Sequence, residues 1–162
     1  MQSIDKAKEI FDAARLYSEV AKFVNGRQQF LMPSQVVAAL SLELYFKCLY
    51  YLENGTDFKV NDRYSHDFAL LFKALTIDAK REIEAAFGRT MGARNMEDIK
   101  RLEEFGKMKI GLDFETILET WSKVFTEVRY LYEEKAHKNM VFFLEMEHAV
   151  MTRILAVKPE WK

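Results

Sequence analysis

Apolar residues return along this chain at three- and four-residue intervals, the repeat of an amphipathic α-helix rather than the alternation of a strand. Ile4, Ala7, Phe11, Ala14, Tyr17, Ala21 and Val24 trace one such face. They predict a helix over 3–25, capped by Ser3 and broken at "NGRQQ", where Gly26 suits a left-handed C-terminal position. A second helix is expected over 33–53, with Pro33 in its first turn and "ENG" closing it, Gly55 lying just beyond. Val36, Val37, Leu40, Leu42, Leu44, Tyr45, Phe46, Leu49, Tyr50 and Leu52 make it apolar nearly all round. Such a helix must be surrounded, which places it at the centre of a bundle. Glu43 and Lys47, four apart with the acid first, then pair on one face, because buried charges persist when partnered.

"NGTDFKVNDRY" over 54–64 reads as a polar loop. "SHDFALLFKAL" starts a third helix, with Ser65 as cap and Asp67 in the first turn facing the positive helix end. A fourth covers 77–87 and stops at Gly88. Between 88 and 112, Asn95 caps a short helix that Gly106 ends, inside an excursion rich in glycine and methionine. Phe114, Ile117, Leu118, Trp121, Val124, Phe125, Val128, Leu131 and Tyr132 form the cleanest helical stripe, over 114–134. "KAHKN" is a kink or short link before a last helix over 139–156, and Pro159 ends regular structure. The fold class that follows is all-α: one domain over 1–162, an up-and-down antiparallel bundle of about five main helices.

Composition agrees and narrows the chemistry. Of 162 residues only six are glycine and two proline, too few turn formers for a many-stranded fold, while 49% hydrophobic content supplies a core. The net charge of −1 carries no global basic excess of the kind nucleic-acid binders show. Lys and Arg residues between 89 and 109 are offset by nearby acids, so they read as a solvated face. The lone Cys48 sits in an apolar run, reads as a small buried hydrophobe, and fits a reducing cytoplasm. "MQSIDKAKEIFDAARL" is too charged for a signal peptide, and residues 36–52 are too short and too charged to span a bilayer, so no membrane association is expected.

His66, His137 and His148 lack zinc-site spacing. Glu145 and His148 in "EMEH" resemble half of a di-iron site without the second half, and His148 falls in line with Leu144, Met151 and Leu155 as a core or interface histidine. No metal is expected, and with no phosphate-cradling glycine loop or serine nucleophile motif, no cofactor either. "RYLYEEKAH" holds the remaining constellation, Arg129 and His137, which could cleave RNA without metal, His as acid or base and Arg beside the phosphate. On one continuous helix the two would stand about 12 Å apart along the axis and about 80° apart in direction. They meet only if the helix breaks or a second subunit supplies one of them. Otherwise Arg129 pairs with Glu133 or Glu43, and His137 is solvated. His66 beside Asp67 either anchors the loop at the helix cap or helps orient a ligand.

"ALSLELYFKCLYYLENG", then "HDFALLFKAL", then "WSKVFTEVRYLYE" together resemble the HEPN (higher eukaryotes and prokaryotes nucleotide-binding) family over roughly 36–134. The resemblance implies a helical bundle that usually dimerises, used as RNase toxins in toxin–antitoxin and phage-defence systems or as non-catalytic RNA- or nucleotide-binding modules. Active members carry Arg, four to six residues, then His, often with Asn after the Arg. Here Tyr130 follows Arg129, and seven residues separate it from His137, so the chain resembles a branch without the catalytic motif. Glu43, Lys47, Arg129 and Glu133 then match a polar cluster between facing helices.

Three functions follow as expectations: a non-catalytic, homodimeric HEPN-like module that binds RNA, a nucleotide or a protein partner through Glu43, Lys47, His66, Asp67, Tyr130 and Glu133; a metal-independent RNase using Arg129 and His137; or an adaptor bundle. "NMVFFLEMEHAVM" is the candidate for the adaptor's exposed apolar surface or for the dimer interface.

Overall fold

In the computed structural model, residues 2–24, 31–92, 96–106, 109, 111–122 and 144–162 are described. Helix α1 runs over Gln2–Val24 and α2 over Leu31–Asn54. A two-stranded hairpin, β1 (Lys59–Val60) and β2 (Arg63–Tyr64), leads to α3 (Phe68–Lys73). Then come α4 (Ile77–Gly92), α5 (Met96–Gly106), α6 (Phe114–Ser122) and α7 (Leu144–Val157), with a 3₁₀ turn at Pro159–Trp161. The all-α bundle expected from the repeat is present, and none of the described helices is long and apolar enough to cross a membrane.

The α1–α2 pair shows how small residues set the packing. Ala7, Ala14 and Ala21 of α1 are buried, with Ser41 and Cys48 of α2 facing the seam. Ser41 Oγ donates to Ala14 O at 2.8 Å, and Cys48 Sγ lies 3.3 Å from Ala7 O. Both contacts are seven residues apart on each helix and run in opposite directions, so they define an antiparallel register. Small side chains let a hydroxyl and a thiol reach the neighbour's backbone carbonyls directly. Burial pushes the Cys48 thiol up to about 12, which fits its packing role.

Around α2 the other helices close a single core. Phe46 of α2, Phe72 of α3, Phe114 of α6 and Phe87 of α4 form a chain of rings with centroids 6.1, 4.8 and 5.3 Å apart. Trp121 adds the bulk of α6, and Met146, Ala149, Val150 and Ile154 pack α7 into the core against α2 and α4. The Trp161 ring rests 5.3 Å from Phe11 and closes the end of α1.

Several local expectations are corrected. The third helix starts at Phe68, not Ser65. Asp67 is its N-cap, accepting from Leu70 N at 3.0 Å, while Ser65 Oγ accepts from Asp67 N at 3.2 Å and orders the approach. Ser3 falls inside α1 rather than before it. The fourth helix continues through Gly88 to Gly92, because Ala86, Phe87 and Met91 keep facing the core and outweigh one glycine's cost of about 1 kcal/mol. The supposed loop holds the hairpin, whose turn places Asn61 and Asp62 at φ 49° and 59°. These two residue types tolerate the left-handed region that a two-residue hairpin turn requires. Gly55, at φ 70°, closes α2 as expected and donates to Tyr51 O at 2.8 Å. The link at 135–139, and the helix expected over 114–134 beyond Ser122, lie outside the described residues.

α7 places an acid in the core. Glu147 is 2% exposed, near Ser18 of α1 and Ser41 and Tyr45 of α2, all buried. Ser18 Oγ, Tyr45 Oη and Glu147 Oε2 have no hydrogen-bond partner among the described residues. Burial raises the Glu147 carboxyl above its ordinary value of 4.5, with Ser18, Lys22 and Ser41 pulling the other way. The native state therefore holds this proton more tightly than the unfolded chain. That makes stability fall as pH rises above about 4.5. Glu147→Gln should remove the decline, stabilising the protein by about 1–3 kcal/mol near pH 7 and by little at low pH. Urea midpoints of both proteins across pH check this, and a gap that does not change with pH would refute it.

Candidate functional site

Midway along α2, on the side that the approach to α3 covers, lies Glu43, with its side chain 2% exposed. One turn on, Lys47 Nζ donates to Glu43 Oε1 at 2.5 Å. His66 Nδ1 lies 2.8 Å from the same oxygen. An ionised carboxylate only accepts, so in this pairing Nδ1 carries the histidine proton. Lys47 is 21% exposed and His66 63%, so the charge sits at the bottom with its two nitrogen partners leading out to solvent. The second carboxylate oxygen, Oε2, is buried and has no hydrogen-bond partner among the described residues.

Local chain geometry explains the arrangement. The four-residue spacing of Glu43 and Lys47 makes their contact a property of α2 alone. His66 comes from 23 residues further on and is fixed by the cap beside it. Asp67 holds the first turn of α3, and Ala69 N donates to Ser122 Oγ at 3.0 Å, tying α3 to α6. The structure thus brings Glu43, Lys47 and His66 together. Asp67 acts from the side, as the cap that positions His66, and its carboxylate is engaged with the backbone of α3. Arg129, Tyr130, Glu133 and His137 lie outside the described residues.

Chemically, the cluster offers an acceptor at its base and nitrogen donors at its rim. At the rim, an anionic group would find Lys47 and His66 beside it, while Oε2 is a buried acceptor without a partner among the described residues. No group of three or more His, Cys, Asp or Glu residues able to hold a metal occurs among the described residues. His148 is exposed, not a core histidine, because α7 turns Glu147 inward and His148 outward. The described part of the proposed dimer surface is likewise spent on the core through Met146, Ala149 and Val150, whereas the exposed apolar residues Leu16, Val20 and Phe23 are on α1. A cleft of about 430 Å³ opens between α3, α4 and α6, with cations and carboxylates mixed on its rim. It includes none of Glu43, Lys47, His66 or Asp67.

Sequence reasoning missed the hairpin side chains next to His66. Tyr64 is 62% exposed, with Lys59 Nζ 5.2 Å from its ring centroid. The "FKVNDRY" alternation around Asn-Asp is the signal that would have revealed them. No protein-family model, no curated protein and no solved structure matches this chain.

Proposed function

We propose that this protein is a non-catalytic HEPN-like module that binds a ribonucleotide unit, free or within RNA, where Glu43, Lys47 and His66 meet. The observation that carries the reading is the buried Glu43 carboxylate, one oxygen held by two nitrogens and the other without a hydrogen-bond partner among the described residues. Base edges supply donors, and carboxylates accept from exocyclic amino groups in nucleic-acid recognition. Lys47 beside it supplies a cation for phosphate. A partly buried ion pair is in itself weak evidence for stability, which leaves room for a binding role at this site. The stretches of chain that carry these residues are among those that resemble the family. The spacing of Arg129 and His137 departs from the family's catalytic pattern, which supports binding without cleavage.

Calorimetric titration with AMP, CMP, GMP and UMP at low salt in EDTA tests this. The amino-bearing nucleotides are expected to bind more tightly than UMP. Glu43→Gln should weaken them about 5- to 150-fold, the worth of one good base-edge contact. RNA incubated alongside should be recovered intact. Equal affinity of the wild type and Glu43→Gln, or no saturable binding at all, would overturn the reading. RNA cleavage abolished by both Arg129→Ala and His137→Ala would replace it with a ribonuclease.

A further inference from the structure

Away from the Glu43 cluster, three helices each turn one stripe toward the cleft of about 430 Å³. On α4, Ile77, Lys80, Arg81 and Glu84 recur at three- and four-residue spacing and so share a face. On α6, Glu115, Leu118 and Glu119 do the same, and α3 adds Phe72 and Lys73. Phe72 and Leu118 are 5% and 3% exposed and form an apolar floor, while Ile77, 78% exposed, stands at the lip.

The charges around this floor divide by position. Phe87 of α4 meets Phe114 of α6 with ring centroids 5.3 Å apart. That contact brings Glu84, one turn before Phe87, toward Glu115, which follows Phe114. With Glu119 one turn further along α6, they make an acidic side. Lys73 ends α3, and Lys80 Nζ donates to its backbone oxygen at 3.3 Å, so both lysines belong to the corner between α3 and α4. A carbonyl leaves the Lys80 charge uncompensated, whereas Arg81 is paired with Asp78 at 2.8 Å. Glu84, Glu115, Glu119, Lys73 and Lys80 form no ion pair among the described residues. Opposite charges therefore line one cleft without meeting.

We propose that this cleft binds a small zwitterion with an apolar side chain, an amino acid or dipeptide, its ammonium at Glu115 and Glu119 and its carboxylate at Lys73 and Lys80. An anion alone would leave the acidic side unanswered, and a cation alone the two lysines. A ligand that carries both charges answers both sides. Its side chain covers Phe72, Leu118 and the exposed Ile77, removing apolar surface from water. The cleft volume falls within the range of about 300–1,000 Å³ that small-molecule sites occupy. None of its lining belongs to the Glu43 cluster, so this inference stands apart from the ribonucleotide reading.

Calorimetric titration at low salt with leucyl-phenylalanine and with free L-phenylalanine tests the cleft. At least one should bind saturably, and the tighter of the two names the size of the ligand. Two capped forms of the dipeptide separate its ends: N-acetylation removes the ammonium and C-terminal amidation removes the carboxylate. Each capped form should bind about 2- to 5-fold more weakly, the worth of an exposed ion pair. Glu119→Gln should weaken the free dipeptide by a similar factor and leave the acetylated form unchanged. Lys73→Gln should weaken the free dipeptide and leave the amide unchanged. A general loss of folding would not match each residue to one end of the ligand. The proposal is overturned if neither ligand binds saturably, if both capped forms bind as tightly as the free dipeptide, or if the two variants weaken every form alike.

Discussion

Phe72→Ala is expected to cost about 3–5 kcal/mol of folding stability, with about 0.5–1.5 kcal/mol more for each ring pair it breaks. Phe72 is 5% exposed and stands between Phe46 on α2 and Phe114 on α6, and Phe114 continues to Phe87 on α4. Removing it opens a cavity where α3, the shortest described helix, meets the two elements that hold it. A domain of this size is stable by about 5–15 kcal/mol, so the loss is a large fraction of the total. α3 also carries the cap that positions His66, so the Glu43 cluster should loosen with it. Urea denaturation reads the effect as a lower midpoint at an unchanged slope. A loss below about 1 kcal/mol would show that the ring chain does not join these helices.

Glu43→Leu combined with Lys47→Met should separate binding from folding. A buried or half-buried ion pair gives up hydration that its attraction only partly restores. Replacing both partners by apolar residues of similar volume is therefore neutral or stabilising by about 1–4 kcal/mol in well-packed sites. At this site the gain belongs near the low end, because Lys47 is partly exposed and His66 loses its contact with Glu43. Glu43→Leu alone leaves Lys47 and His66 without their acceptor and should be worse than the double variant. Thermal melts of the three proteins measure the order. A double variant that melts well below wild type would mean that the cluster is a structural strut.

The fold was legible where one rule dominated. The three- and four-residue repeat gave the long helices, and the all-round apolar character of α2 gave its central position. The Glu43–Lys47 contact followed from spacing within one helix. What escaped the sequence depended on long-range packing or on competing local signals. Gly88 looks like a stop, but core contacts on both sides carry α4 past it. Asn61 and Asp62 look like loop residues, although their tolerance of positive φ is what closes the hairpin. Ser65 and Asp67 are both good caps, and only the observed bonds tell which one caps α3. His66 meets Glu43 across 23 residues, a contact that no local pattern encodes. In "EMEH" the residues that turn inward are Met146 and Glu147, while His148 is exposed, because the phase of α7 is set by its packing on α2 and α4.

The measurement that tests the central claim most directly is ribonucleotide affinity and melting temperature on the same samples of wild type and the Glu43→Leu, Lys47→Met double variant. Calorimetry should find saturable AMP or CMP binding in the wild type and none in the double variant, at an equal or higher melting temperature. Binding that survives in a stable double variant would contradict the account, because the ligand would then have no need of Glu43 or Lys47.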